Sequence, residues 1–202
     1  MMQPWKAVLL NFVEAPIRIL RRIAKPFASL ILRTCYLAGL RMHCTGKIPA
    51  STQFDGAVDL IGTGRLFMGE QCRLGRGVIF ETQGDGEIVI GNNVRINAGT
   101  IVVSHGKVTI GDDALIGEYV SIRDANHGTK SGAGLMRLQD HTISPIMIGN
   151  DVWIGRGSCL LKGVVIDSGA VVGANSVVVR SVKAEVIVAG VPAHEIGRRK
   201  QP

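Results

Sequence analysis

His127 is the residue of this sequence best placed to move a proton. It closes the stretch Ile122-Arg-Asp-Ala-Asn-His127, and a glycine-containing segment of different character follows at once. A neutral imidazole near pH 7 can take the proton from a hydroxyl as that oxygen attacks an electrophile; from its position alone, His127 is as readily a surface histidine at a loop edge. Asp124 and Asn126 share the stretch. A carboxylate on the second ring nitrogen would fix the tautomer and raise the ring's basicity; Asp124 is equally at home as a solvent-facing turn residue. Either Asp124 or Asn126 could orient the imidazole or hold the acceptor. His141, in Leu138-Gln-Asp-His-Thr142, either shapes an acceptor pocket or is an exposed loop histidine. His105, in Ser104-His-Gly106, has no partner visible in sequence, and His43 and His194 carry no motif.

Elements must hold these groups, and a repeat reveals them. Fifteen six-residue units open on Met68, Leu74, Phe80, Ile90, Ile96, Val102, Ile110, Ile116, Ile122, Ile148, Ile154, Leu160, Ile166, Val172 and Val178. A chain that is 46 % hydrophobic would fill about half of those positions by composition, and all are apolar. Glycine often comes second, as at Gly69, Gly91, Gly117 and Gly155, and the fifth residue is small or β-branched, as at Val94, Ala114, Ser158 and Ala170. Strand residues alternate sides, so each unit reads as a short strand plus a corner. The first residue fills an interior, and glycine suits a corner that a Cβ would strain. Stacked units of this kind give a parallel β-helix.

Breaks in the repeat set the size of a coil. Four extra residues follow Asp85, two follow Lys107 and twenty follow His127, each after three units. Every insertion therefore falls at one corner of a three-sided prism with eighteen residues per coil. Residues 128–147 form a protruding loop, and Gly128, Gly132 and Gly134 imply that it orders on binding. His127 stands where that loop leaves the prism. Its unit also has Asn126 where the others place a small or β-branched residue, and a local rule broken at one coil flags function.

The net charge of +7 is uneven. Residues 1–50 carry eight basic side chains against Glu14 alone, while the remainder holds fifteen basic and fifteen acidic ones. The neutral repeat domain argues against a nucleic-acid partner. Cys35, Cys44, Cys72 and Cys159 show neither C-x-x-C nor metal spacing and read as small filler thiols of a reducing compartment. No P-loop or dinucleotide fingerprint is present. We divide the chain into a basic amphipathic helical segment, residues 1–45, and a β-helix domain, residues 46–202. In the first, Leu9, Phe12, Val13, Leu20, Ile23, Phe27, Leu30 and Ile31 recur at helical steps, and Pro16 and Pro26 divide them. Its apolar runs fall short of the ~18–20 residues that span a bilayer, and it lacks a signal-peptide cleavage site. It either lies on an anionic membrane surface, with Arg21, Arg22 and Lys25 on headgroups, or packs on the open end of the prism or a neighbouring subunit.

Ile148-Gly-Asn-Asp-Val-Trp-Ile-Gly155, Gly173-Ala-Asn-Ser-Val-Val-Val-Arg180 and Ala189-Gly-Val-Pro-Ala193 together resemble the hexapeptide-repeat acyltransferases, nearest to the galactoside, maltose and colanic acid-type O-acetyltransferases. The likeness covers about residues 60–198, and the N-terminal basic segment lies outside it. It implies a left-handed β-helix, a homotrimer and acetyl-CoA bound between adjacent subunits. It also implies that His127 is the catalytic base, that Trp153 lines the cleft, and that Arg156, Ala174, Val179 and Arg180 contact coenzyme A. Trp153 read alone would be subunit packing. Arg180 and Arg198, with Lys183, Arg199 and Lys200, would grip the nucleotide phosphates or form a solvated basic tail. Asn97 resembles an acceptor-contacting asparagine, and would serve as well as a corner residue in place of glycine.

Three function classes follow, the first of them, acyl transfer, with two acceptors. The first is an acetyl-CoA-dependent O-acetyltransferase acting on a sugar or glycan precursor of cell-surface polysaccharide, cytoplasmic and peripheral to the inner membrane face. An N-acyltransferase on an amino-sugar nucleotide is the chief alternative. A γ-class carbonic anhydrase, which needs three histidines on one zinc, lacks its paired-histidine spacing here, so no metal is expected. A non-catalytic scaffold would have no need of His127, Trp153 and Gly190-Val-Pro192 together.

Overall fold

In a computed structural model of the chain, which describes residues 24, 27, 28 and 30–200, the six-residue period becomes three flat faces. The first face stacks Gln53–Phe54, Arg73–Leu74, Arg95–Ile96, Leu115–Ile116, Trp153–Ile154, Val171–Val172 and Val186–Gly190 in parallel, and Ala193–Arg198 closes it antiparallel. The second stacks Val58–Gly62, Val78–Thr82, Ile101–Ser104, Ser121–Arg123, Cys159–Leu160 and Val177–Val178. The third stacks Leu66–Met68, Glu87–Ile90, Lys107–Ile110, Ile146–Ile148 and Val165–Ile166. The register makes each coil explicit: Arg73 pairs with Arg95, Arg95 with Leu115, Leu115 with Trp153 and Trp153 with Val171. All three insertions lie at the edge between the second and third faces. The fold is the parallel β-helix that the repeat predicts, of about seven turns.

Every unit's opening residue is inside, and none is more than 4 % exposed. Each such burial stabilises by about 1.5–3 kcal/mol before chain entropy is counted. Most fifth-position side chains fill the narrower space beside them, and Asn126 is the exception, exposed at the edge. Where they are polar they are satisfied: the Thr100 hydroxyl donates to the Gly117 carbonyl at 2.8 Å and the Ser158 hydroxyl to the Gly173 carbonyl at 2.9 Å. The prism also begins one coil earlier than the fifteen units, with Ile48 and Phe54 buried and Leu60 half-buried.

Second-position glycines act differently from expectation. Their φ angles are ordinary; the left-handed backbone sits two residues later, at Gln71, Asn93, Asp113, Tyr119, Asp151 and Asn175, and at Gly77, Gly99 and Gly157. A Cβ on Gly155 would stand 2.5 Å from the Ala174 nitrogen, and one on Gly75 2.4 Å from that of Ala98. The second position is glycine because the next coil's backbone rests on it, not because the corner strains its dihedrals.

The chain divides into two compact units, Met1–Cys35 and Tyr36–Pro202. Most of the amphipathic segment, including Leu9 to Ile23 with Arg21, Arg22 and Lys25, lies outside the described residues. Residues 30–43 are helical. Within the second unit, the last turns of that helix pack on the first coil. Leu40 is 4 % exposed, the Tyr36 ring lies 6.5 Å from that of Phe54, and the Arg41 guanidinium donates to the Ile48 carbonyl at 2.6 Å and 2.9 Å.

Candidate active site

The twenty-residue insertion is built on the edge between the second and third faces. Its two arms pair antiparallel, Ala125 with Ile143 and Asn126 with Thr142. Gly106 in the coil below admits this hairpin, since a Cβ there would stand 2.7 Å from the Ile143 methyl. The far part of the loop is tied by Gln139. Its carbonyl oxygen accepts from the Lys130 amide at 2.9 Å, and its side-chain amide donates to the carbonyls of Lys130 and Gly134, each at 3.1 Å. A short 3₁₀ turn, Met136–Leu138, forms the tip.

Three histidines converge where the hairpin leaves the prism. His127 comes from the edge itself, His105 from the coil below and His141 from the returning arm. The His141 ring centroid lies 4.4 Å from that of His127 and 4.6 Å from that of His105. The sequence left His105 without a partner. The signal was in the coil arithmetic, because the register pairing Val103 with Arg123 puts His105 under the edge that His127 occupies. Although three imidazoles meet, no group of three or more His, Cys, Asp or Glu among the described residues is arranged to hold a metal ion.

Two concave sites share this column. One, of about 710 Å³, runs toward the earlier coils and is lined by Glu81, Gln83, Val103, His105 and Arg123. The other, of about 670 Å³, runs toward the later coils under the loop and is lined by Lys130, Ala133, Leu138, Asp140 and Lys162. Asn126, His127, Thr129 and His141 border both. Both volumes are of ligand-site size.

Asp124 is not the partner of the His127 ring. It is wholly buried, and its carboxylate accepts from the Ser104 hydroxyl at 2.9 Å, the His105 amide at 2.8 Å and the Gly106 amide at 2.9 Å. Its backbone carbonyl accepts from the Ser144 amide at 2.9 Å, where the insertion returns. Neither the ring-orienting role nor that of a solvent-facing turn describes it. A buried carboxylate needs such donors, and these fix the corner that carries His105.

Other predicted residues divide by edge. Val179 and Arg180 lie on the His127 edge, where the register pairing Leu160 with Val178 puts Arg180 over Lys162. Arg156 and Ala174 stack one over the other at the edge between the first and second faces, with the Arg156 guanidinium 5.6 Å from the centre of the Tyr119 ring. Asn97 stands at that same edge two coils earlier, with its amide on the Ile116 carbonyl. Trp153 points outward from the first face, 55 % exposed and in register with Leu115 and Val171. Within one protomer, Asn97, Trp153, Arg156 and Ala174 border neither site beside His127. Arg198 is engaged by Glu195 at 3.5 Å, while Arg199 holds Asp151 at 2.8 Å. All four cysteines are free; Cys72 is buried, which raises its thiol pKa, and it donates to the Gly91 carbonyl at 3.1 Å.

A parallel prism that seats His127 on the border of two concave sites is a scaffold for passing a group from one ligand to another. Residues 145–180 match the family described as bacterial transferase hexapeptide (six repeats). WbbJ of Escherichia coli (strain K12), provisionally named a lipopolysaccharide biosynthesis O-acetyl transferase, is 36 % identical over 137 residues, covering 64 % of this chain and 70 % of that protein. The dTDP-4-amino-4,6-dideoxy-D-glucose acyltransferase of Escherichia coli is 31 % identical over 69 % of this chain and 75 % of its own length. Among solved folds, the Vibrio cholerae hexapeptide-repeat acetyltransferase VCA0836, complexed with acetyl coenzyme A, superposes with a TM-score of 0.56 at 24 % identity, over 93 % of this chain and 91 % of that one. The chain belongs to the hexapeptide-repeat acyltransferase family, whose fold is the left-handed parallel β-helix.

Proposed function

We propose that this protein transfers an acetyl group from acetyl-CoA to a hydroxyl of a sugar or glycan precursor in cell-surface polysaccharide assembly, with His127 as general base. The observation that carries the reading is the position of His127 on the shared border of two ligand-sized sites in a chain related to a lipopolysaccharide biosynthesis O-acetyl transferase. The site toward the earlier coils suits a polyol, because Glu81, Gln83 and Asn126 offer hydrogen-bonding groups around the imidazole. The site toward the later coils suits the thioester arm. Ala133 and Leu138 offer apolar contact, Lys130 and Lys162 offer positive charge, and Arg180 extends that charge by one coil. The donor supplies an activated acyl carbon. His127 takes the acceptor's hydroxyl proton as the C–O bond forms, and returns it to the departing sulfur, so no covalent enzyme intermediate is needed.

The working unit is a homotrimer in this proposal. A second copy would bring Asn97, Trp153, Arg156 and Ala174 opposite His127, which one protomer does not do. A peripheral membrane position on the cytoplasmic side is part of the same reading, supported by the basic N-terminal segment and by the exposure of Phe27, Leu30, Ile31 and Leu32. No helix among the described residues is long and apolar enough to cross a membrane.

The test is CoA release from acetyl-CoA across a panel of hexoses, deoxyhexoses, sugar nucleotides and polyprenyl-linked glycans. The wild-type chain should release CoA with a hydroxyl acceptor, and His127→Ala should lower kcat by about 10²-fold or more while CoA affinity stays within about twofold. Full activity in the variant would remove His127 from the role. Acylation confined to 4-amino sugar nucleotides would establish N-transfer, on the substrate class named for the 31 % identical relative.

A further inference from the structure

The three imidazoles are held by unequal means. The His105 corner is fixed by the buried Asp124 carboxylate, and His127 is seated on the prism edge. His141 arrives on the insertion, whose arms share only a two-residue pairing beside the prism. Its ring is the one that touches both others, at 4.6 Å and 4.4 Å with tilts of 36° and 42°. Neutral imidazoles stack favourably at such separations. Two imidazolium rings there would repel.

We propose that His141 is a positioning residue: stacked on both His105 and His127, it latches the insertion over the later-coil site and steadies the His127 ring that both sites share, and the latch releases when the column takes up a second proton.

The charged surroundings do not remove that repulsion. Asp124 is already committed to three donors at the His105 corner. From the second face, Arg123 adds positive charge and Glu81 lies two strands away in register, with its carboxylate accepting from Gln83. From the later coil comes Lys162, and from the insertion Lys130 and Asp140. Asp140 adjoins His141 and is the one acid of residues 128–147. Desolvation of the ring comes first, then the charges of His105 and His127, in holding the His141 pKa below the ordinary imidazole range, with Asp140 opposing. A depressed value means that the closed arrangement favours the neutral ring. Closure is therefore at full strength above about pH 6.5 and weakens as pH falls through the lower value of the closed state.

Hydrogen exchange of residues 128–141 in the full-length protein, corrected for intrinsic rate, reads the latch without any assumption about acceptor. Protection should fall by up to about tenfold per pH unit below about pH 6.5, the limit for one proton, while residues 148–180 stay constant as an internal control. His141→Phe keeps a flat ring that cannot be protonated, and one that favours an imidazolium neighbour. It should hold protection across the same range. His141→Ala should lose it at every pH. In acetyl transfer, which rests on the function proposed above, His141→Ala should raise the KM for acetyl-CoA and lower kcat, and His141→Phe should restore most of kcat near pH 7.5. Wild-type protection that ignores pH, a His141→Phe profile matching wild type, or a His141→Ala loop as protected as wild type would each overturn the latch. Absence of acetyl transfer with every acceptor would instead strike the proposed function, and leave the exchange result to decide the latch.

Discussion

Asp124→Ala should destabilise the protein by about 2–4 kcal/mol, because it leaves the Ser104 hydroxyl and the His105 and Gly106 amides without their acceptor. Asp124→Asn keeps one acceptor oxygen but turns an amide toward donors, so it should melt between the two. Thermal unfolding followed by circular dichroism gives the order, and a melting point for Asp124→Ala equal to wild type would show that the carboxylate does not hold the corner. At this scale the sequence was informative where a rule broke. His127 was visible because it ended a unit at an insertion, and Asn126 because it was polar at a position kept small elsewhere. The His105–His141 contact was not visible, since it joins a coil corner to an arm whose path the repeat does not encode. Asp124 was ambiguous for a related reason. Its role depends on the donors of the preceding coil, which only the register brings to it.

The glycines make the argument for the element. Gly155→Ala would drive a Cβ to 2.5 Å from the Ala174 nitrogen, forcing two coils apart. Gly77→Ala would place its Cβ in open space but at φ +70°, a conformation that costs an L-residue about 1–2 kcal/mol. Overpacking against a fixed backbone costs typically 1–3 kcal/mol and can cost more, so Gly155→Ala should be the more damaging of the two in urea unfolding. The reverse order would mean that coil spacing yields more easily than the corner dihedral. Periodicity showed where a coil turns and which residues enter it, as the burial of every opening residue demonstrates. It did not show which corner residue carries the left-handed backbone. That position accepts Asn93, Asp113, Asp151 and Asn175 as readily as glycine, so composition points elsewhere. The first coil was concealed in another way. Ile48, Phe54 and Leu60 keep the six-residue step, but they directly follow an amphipathic helix and precede a two-residue excess before Met68.

For the whole molecule, the N-terminal segment separates two roles that a helical period alone cannot. Its pattern runs on to residue 44 without a break in character, yet Tyr36, Leu37 and Leu40 pack on the prism core while Leu30, Ile31 and Leu32 are exposed. A truncation that removes residues 1–35 should therefore keep the wild-type unfolding midpoint. One that removes residues 1–44 should lose roughly 3 kcal/mol, since it strips the buried Leu40 and the Arg41 bond to the Ile48 carbonyl from the first coil. If the basic amphipathic segment is what holds the protein at an anionic surface, both truncations should be released from phosphatidylglycerol vesicles in co-sedimentation, and added salt should weaken wild-type binding by screening Arg21, Arg22 and Lys25. Release by the longer truncation alone would assign membrane contact to residues 36–44. Retention by both would move it off the segment altogether. The shorter truncation is the decisive protein, because it asks about the membrane without disturbing the prism that carries His127.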